Sequence, residues 1–358
     1  MKLNSAQELK EKFKKEFVED HLAGSAAAKV EALTGANRIE ASSAVLPVDQ
    51  RLSVGLSKKD TRAEDYQIEL RIQREGGRAH RAAEKFKKEA SDEANIEIVP
   101  RIEAPSVSLV EEETKGSRTG VEPLRIGVSV SHRDGPTGTL GAFISTKKGD
   151  GILSNAHVFS PGTTETETNE YIFHPGSADA RRLIQSMRVA KFCEATEFFK
   201  KKANDTDAAT ALLLEKWRDH DGNVIPKGCG HEKEGRRLGR VITMGQLRPQ
   251  QSVSKIGRTT DARSGKISAI ALDNVPIEVP GLGVLSFSNV IEIRSVLANR
   301  PFTMPGDSGS VVFTDDDLAP FGLHFAGTYK SSDDVKFKIS YACDLETALT
   351  AVGAEWLR

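Results

Sequence analysis

Cysteine is scarce in this chain. Three occur in 358 residues, Cys193, Cys229 and Cys343, and they lie far apart. An odd, sparse set excludes a disulfide framework and predicts reduced thiols in a cytoplasmic setting. A dominant sign of charge is also lacking, with 50 Lys and Arg against 51 Asp and Glu. That balance gives no general attraction to nucleic acid or anionic membrane, so neither is expected as a partner. No apolar run approaches the roughly 20 residues that cross a bilayer. The opening stretch Met1-Lys2-Leu3-Asn4-Ser5-Ala6-Gln7-Glu8-Leu9-Lys10 has no apolar core of the secretory-signal kind. Cys229-Gly230-His231 offers two ligands where a closed zinc site takes four. We therefore expect no metal and no cofactor.

The length implies two or three domains. The densest chemical signal is Pro305-Gly306-Asp307-Ser308-Gly309-Ser310, followed by the apolar Val311-Val312-Phe313. Glycines on both sides let the backbone turn tightly and bring its N–H groups near the serine hydroxyl. Such geometry suits a nucleophile with donors aimed at a developing oxyanion, although Gly, Asp and Ser also make ordinary turns. Upstream, Ile152-Leu153-Ser154-Asn155-Ala156-His157-Val158 ends an apolar segment on a histidine. Between the two, Asp205-Thr206-Asp207 opens the small and apolar run Ala208-Ala209-Thr210-Ala211-Leu212. The order is therefore His, Asp, Ser, with intervals of about 50 and about 100 residues, enough for one small barrel per gap.

From about Leu124 onward the chain resembles a chymotrypsin/trypsin-like serine peptidase of the bacterial branch, related to the plant narrow-leaf type. The Leu-Ser-Asn-Ala-His-Val and Gly-Asp-Ser-Gly-Ser phrases carry the resemblance. Thr137 to Phe143 resembles the strand pair leading to the histidine. Lys255-Ile256-Gly257-Arg258-Thr259-Thr260 resembles a hairpin common in bacterial members, and Phe321 to Gly327 the strand lining the specificity pocket. The fold so implied is mainly β: two six-stranded antiparallel Greek-key barrels closed by a C-terminal helix starting at Asp344. The catalytic roles it implies fall on His157, Asp207 and Ser308, with the N–H groups of Gly306 and Ser308 as oxyanion donors. Asp205 is the rival acid. Asp207 is preferred because small residues follow it directly, as they follow the family's acid. Phe302, His324, Phe325, Ala326 and Gly327 fall where the family's pocket lies. Phe302 is not acidic, so a preference for Lys or Arg is not implied, and an apolar, small or acidic one is. His324 reads either as a satisfied strand histidine or as a ligand for an acidic side chain. Arg125-Ile126-Gly127-Val128 reads as the first barrel strand, with a trypsin-type activation point as the rival.

Ahead of that region, Leu9, Phe13, Phe17 and Leu22 mark an amphipathic helix over residues 5–22. Residues 23–50 are Ala-rich and weakly patterned. Alternation in Arg51–Leu56, Tyr66–Ile72 and Asn95–Pro100 predicts strands, and Arg78–Ala90 a helix. Residues 1–45 are thus read as a helical extension and 46–103 as a small α+β domain. Residues 104–123 are read as a linker, and 124–358 as the peptidase domain with barrels at about 124–235 and 236–358. His21, His80, His132, His220 and His231 read as solvated, and His174 and Asp179 as turn residues.

The expectation is a serine endopeptidase acting through an acyl-enzyme on a protein or peptide substrate. Residues 1–103 would restrain it or bind a regulatory protein. The alternatives are an esterase using the same triad and a catalytically silent scaffold.

Overall fold

The computed structural model describes residues 1–16, 51–59, 65–91, 93–104, 123–133, 135–160, 170–180, 186–297, 299–328 and 339–357. Phe17 to Leu22, His21, the Ala-rich 23–50 and nearly all of the expected linker lie outside them.

The N-terminal part is built from α1 (3–16), β1 (Leu52–Lys58), β2 (Tyr66–Ile72), α2 (Arg78–Glu89) and β3 (Ala94–Ile98). β2 and β3 run parallel, with α2 as the crossover between them. Ala79, Ala82, Ala83 and Phe86 are the buried face of α2, at the three- and four-residue spacing of a helix. On α1 the buried positions are Ala6, Lys10 and Phe13. Phe13 stacks on Phe86 with ring centroids 4.3 Å apart.

β4 (Ile102–Glu103) leads toward the first barrel: β5 (Ser129–His132), β6 (Gly138–Thr139), β7 (Ala142–Thr146), β8 (Gly149–Ser154), α3 (Ala156–Phe159), β9 (Tyr171–His174), β10 (Met187–Ala195) and β11 (Ala209–Leu213). The second comprises β12 (Ser252–Gly257), β13 (Asp261–Asp273), β14 (Val275–Val279), β15 (Gly283–Phe287), β16 (Val290–Ser295), β17 (Val311–Thr314), β18 (Pro320–Gly327) and β19 (Ile339–Asp344). The chain then forms α4 (Leu345–Ala351) and β20 (Ala354–Trp356).

The fold is mainly β and is built around two curled sheets. In the second barrel β12, β13, β16, β19, β18 and β17 pair in turn, and β17 returns to β12 to close a ring of six. The first is a curled sheet in the order β20-β7-β8-β11-β10-β9-β5-β6. Its β20 arrives from the C-terminus. Asp344 caps α4 by accepting from the Thr347 N–H at 2.8 Å, but the helix does not run on to Leu357. Gly353, at φ +61, turns the chain out of the helix and into β20, which pairs with β7.

The α+β unit is not a detached body. β1 pairs with β2 on one side and with β13 on the other, so its sheet continues into the second barrel. One apolar cluster takes Leu52, Val54 and Ile68 from the unit together with Ile267, Ile291, Val312 and Phe321 from the barrel. β13 can serve both sheets because it is 13 residues long: its first half pairs β12, and its second half pairs β1. Three histidines expected at the surface or in a turn are buried instead. His132 lies 2.6 Å from Glu170, His174 Nδ1 bonds the Ser129 carbonyl at 2.7 Å, and His231 packs edge-on against Phe313. Burial lowers the pKa of both His174 and His231.

Candidate active site

His157 and Asp207 meet because β8 and β11 are antiparallel neighbours. Ser154 pairs with Ala209, so the residues just beyond the two strand ends face each other. α3 then lifts His157 off the end of β8. The His157 N–H donates to Asp207 Oδ1 at 3.2 Å, and Nδ1 lies 2.5 Å from Oδ2. A carboxylate only accepts, so the proton of neutral His157 sits on Nδ1 and Nε2 carries the lone pair. Asn155 fixes the same corner by donating Nδ2 to the Asp207 carbonyl at 2.7 Å. Asp207 is fully buried. Asp205 is exposed, and the bonds of His157 to an acid go to Asp207.

Ser308 stands on the turn before β17, where the barrels touch. Its carbonyl accepts from the Thr139 N–H of the first barrel at 2.8 Å. Beside it, Gly309 N–H donates to the His324 carbonyl of β18 at 2.9 Å. Gly309 sits at φ +91, and a Cβ there would lie 2.5 Å from the Thr139 carbonyl, so only glycine fits. α3 reaches the same point. A Cβ on Gly138 would lie 2.6 Å from Val158 Cγ2 and 2.8 Å from the Ser308 carbonyl. Ser308 Oγ and His157 Nε2 are both buried, and neither bonds a protein atom, including the other. Two complementary groups thus stand unpartnered at one seam. Such pairs often tighten only around a substrate.

The backbone around Ser308 is divided in its bonding. The N–H groups of Asp307, Gly309 and Ser310 donate to Met304, His324 and Asp307 carbonyls. Among the described residues, those of Gly306 and Ser308 donate to no protein atom. Gly306 lies at φ +96.

Asp307 is buried against Lys255 at 3.0 Å, with both side chains sealed from solvent. Burial alone would raise the carboxyl pKa. The Lys255 charge, the Thr260 hydroxyl and the Met304 N–H outweigh it and hold the group below the usual carboxylate range. Burial pulls the Lys255 ammonium below its ordinary value even beside that carboxylate. The cation facing Asp307 is thus a lysine side chain. The Gly127 N–H is bonded to the Leu140 carbonyl, which fits Arg125–Val128 as the entry to the first barrel.

Of the residues expected at the pocket, Phe302 packs into the core shared with the N-terminal unit, and Phe325 packs against Phe287 with centroids 4.9 Å apart. Ala326 is buried in that second core, and Gly327 pairs with Ser340 and Glu103. His324 is buried, and its Nδ1 lies 3.0 Å from the Tyr341 carbonyl, which makes Nδ1 the protonated nitrogen. Burial pushes its pKa down to about 3. Thr303, hydrogen-bonded to Ser340 at 2.6 Å, lies beside Phe302. No local signal in the sequence marks Thr303 or the burial of Asp179. Lys255 and Asn155 lie inside the hairpin and histidine motifs, so the signal was present but had no assigned partner.

Scans of protein-family models and of curated proteins find no match. Solved structures of bacterial chymotrypsin-like serine proteases are similar to the chain. One is a glutamic acid-specific serine protease described as using a histidine triad in substrate binding. It is 16% identical, with 64% of this chain and 97% of that one covered, at a TM-score of 0.44. Cellulomonas bogoriensis chymotrypsin is 13% identical over 65% and 97%, at 0.41. The alpha-lytic protease homolog N4 is 17% identical over 65% and 99%, at 0.42.

Proposed function

We propose that this protein is a serine endopeptidase. The observation that carries the reading is the His157–Asp207 bond, which leaves Nε2 as a free base at the seam where the Ser308 hydroxyl is also unpartnered. In the reaction, Nε2 takes the hydroxyl proton as Oγ attacks the scissile carbonyl. The Gly306 and Ser308 N–H groups receive the oxyanion, and His157 then protonates the leaving amine. Water enters by the same steps in reverse and releases the acyl group from Ser308. Asp207 holds the tautomer and stabilises the imidazolium, a role whose loss lowers turnover about 10⁴-fold in a well-studied protease.

Position 302 carries a phenylalanine packed in the shared core and not an acid, so cleavage after Lys or Arg is not expected. His324, neutral and protonated on Nδ1, offers only an acceptor at Nε2 and gives no charge for an acidic residue, so an apolar or small residue before the scissile bond is favoured. Three free thiols fit work in a reducing compartment. The shared core and sheet of residues 51–99 favour support of the second barrel over restraint of its activity.

The missing Ser308–His157 bond is the one observation that favours a silent scaffold. Incubation with a peptide library separates the readings. The expected result is endoproteolytic cleavage that Ser308→Ala abolishes. A profile dominated by Lys or Arg contradicts the pocket assignment, turnover of simple esters alone selects the esterase, and no turnover of either selects the scaffold.

A further inference from the structure

Asp179 sits in a Gly-Ser-Ala-Asp turn of the first barrel, yet it is buried and faces a buried Arg258 of the second. Arg258 Nε donates to Asp179 Oδ2 at 2.5 Å and Nη2 donates to Oδ1 at 2.6 Å, a two-pronged ion pair across the interface between barrels. The Ser129 hydroxyl donates to the same carboxylate at 2.5 Å. The third prong leads toward the reacting groups. Nη1 donates to the Thr259 hydroxyl at 3.2 Å, and that hydroxyl donates to the Pro305 carbonyl at 2.8 Å.

The last bond matters because of peptide geometry. In a trans peptide the C=O and the following N–H point in opposite directions. Holding the Pro305 carbonyl down onto Thr259 therefore turns the Gly306 N–H the other way. A side chain on Gly306 would collide with Arg258 Nη1 and Thr259 Oγ1, so its Cα rests on this pair. A second bond locks the other end of the residue: the Thr139 hydroxyl accepts from the Arg258 N–H at 3.1 Å and donates to the Gly306 carbonyl at 2.9 Å.

We propose that Asp179, Arg258 and Thr259 form a positioning relay that sets the Pro305–Gly306 peptide with its N–H toward the oxyanion. The relay rests on the serine-hydrolase reading of the site. It makes the hole depend on docking of the first barrel onto the second, since Asp179 and Thr139 come from one and the loop from the other. Asp179, Arg258 and Thr259 are all buried, so they act through the loop. Without the Thr259 hydroxyl the peptide is free to rotate, and a carbonyl can then occupy the place of the donor.

The test is the rate at which a fluorophosphonate modifies Ser308, with steady-state peptide kinetics, in full-length wild type, Asp179→Asn, Thr259→Val and Thr259→Ser. Thermal unfolding of each confirms the folded state at the assay temperature. The expected result is that Thr259→Val and Asp179→Asn lose about 10- to 1000-fold in labelling and in kcat, with KM within about twofold. Thr259→Ser, which keeps the hydroxyl, stays near wild type, and the pH midpoint of kcat/KM does not move. Should Asp179→Asn fail to fold, Thr259→Val decides alone. Folded Thr259→Val with wild-type labelling and kcat overturns the relay. Wild type that neither labels nor cleaves overturns the hydrolase reading, and the relay with it.

Discussion

Arg71 of β2 grips Glu292 of β16 through two parallel hydrogen bonds, Nε to Oε2 at 2.9 Å and Nη2 to Oε1 at 3.0 Å. Glu292 is fully buried and Arg71 nearly so. Burial would raise the glutamate, but the Arg71 charge and hydrogen bonds, with Arg294, carry it down to about 2. Tyr341, whose carbonyl holds His324, also reaches this carboxylate with its hydroxyl at 3.4 Å. The N-terminal unit is thereby wired into the wall behind the reacting groups.

Arg71→Met leaves that carboxylate buried without its main partner. Removing one member of a buried pair costs about 3–5 kcal/mol. Urea unfolding of the variant is expected to show a loss in that range, with the slope of the transition unchanged. A loss below about 1 kcal/mol contradicts the buried pair.

Deleting residues 1–103 removes the strand that covers β13 and exposes half of a shared core. The truncated chain is expected in the insoluble fraction or with a cooperative transition lost from calorimetry. A soluble truncation with raised peptidase activity instead supports restraint by this unit.

His324 has a folded-state pKa of about 3 against 6.5 for an ordinary histidine. Its folded-state value is depressed, so its contribution is complete above about pH 6.5 and is lost as pH falls toward 3, because only the unfolded chain takes up the proton. Stability measured between pH 7 and 4 is expected to fall more steeply in wild type than in His324→Gln. Parallel curves contradict the assignment. Glu292 adds acid lability in a lower window, from about 4.5 down to 2.

Gly309→Ala puts a methyl against Ser154 Oγ and the Thr139 carbonyl at a left-handed φ of +91. Backbone strain alone costs about 1–3 kcal/mol, and the collision strikes the contact between barrels beside Ser308. The variant is expected to unfold several degrees lower and to lose labelling of Ser308. Unchanged melting and labelling contradict the packing described.

The three phrases that carry the candidate residues were legible because they are local. Each packs a rare residue pattern into a few positions, and chain order supplied the rest. The strands at 52–58, 66–72 and 94–98 and the helix at 78–89 were legible for the same reason, since period and turn residues are local signals. What was hidden is long-range. Nothing near Leu52 announces that β1 will pair with β13. Lys10 sits among charges on an amphipathic helix, yet it is buried and 2.8 Å from Asp273. Asp179 carries every mark of a turn residue, and its partner Arg258 lies 79 positions away. A buried charge looks in sequence like an exposed one until its counterion is placed.

The central claim is that the buried His157 base activates the Ser308 hydroxyl. Its most direct measurement is the rate and site of covalent modification by a fluorophosphonate, read by intact mass and peptide mapping. One adduct per chain is expected on Ser308, none in Ser308→Ala, with labelling slowed by at least about 10³-fold in His157→Ala. A wild-type protein that stays unmodified, or one labelled equally fast without His157, contradicts it.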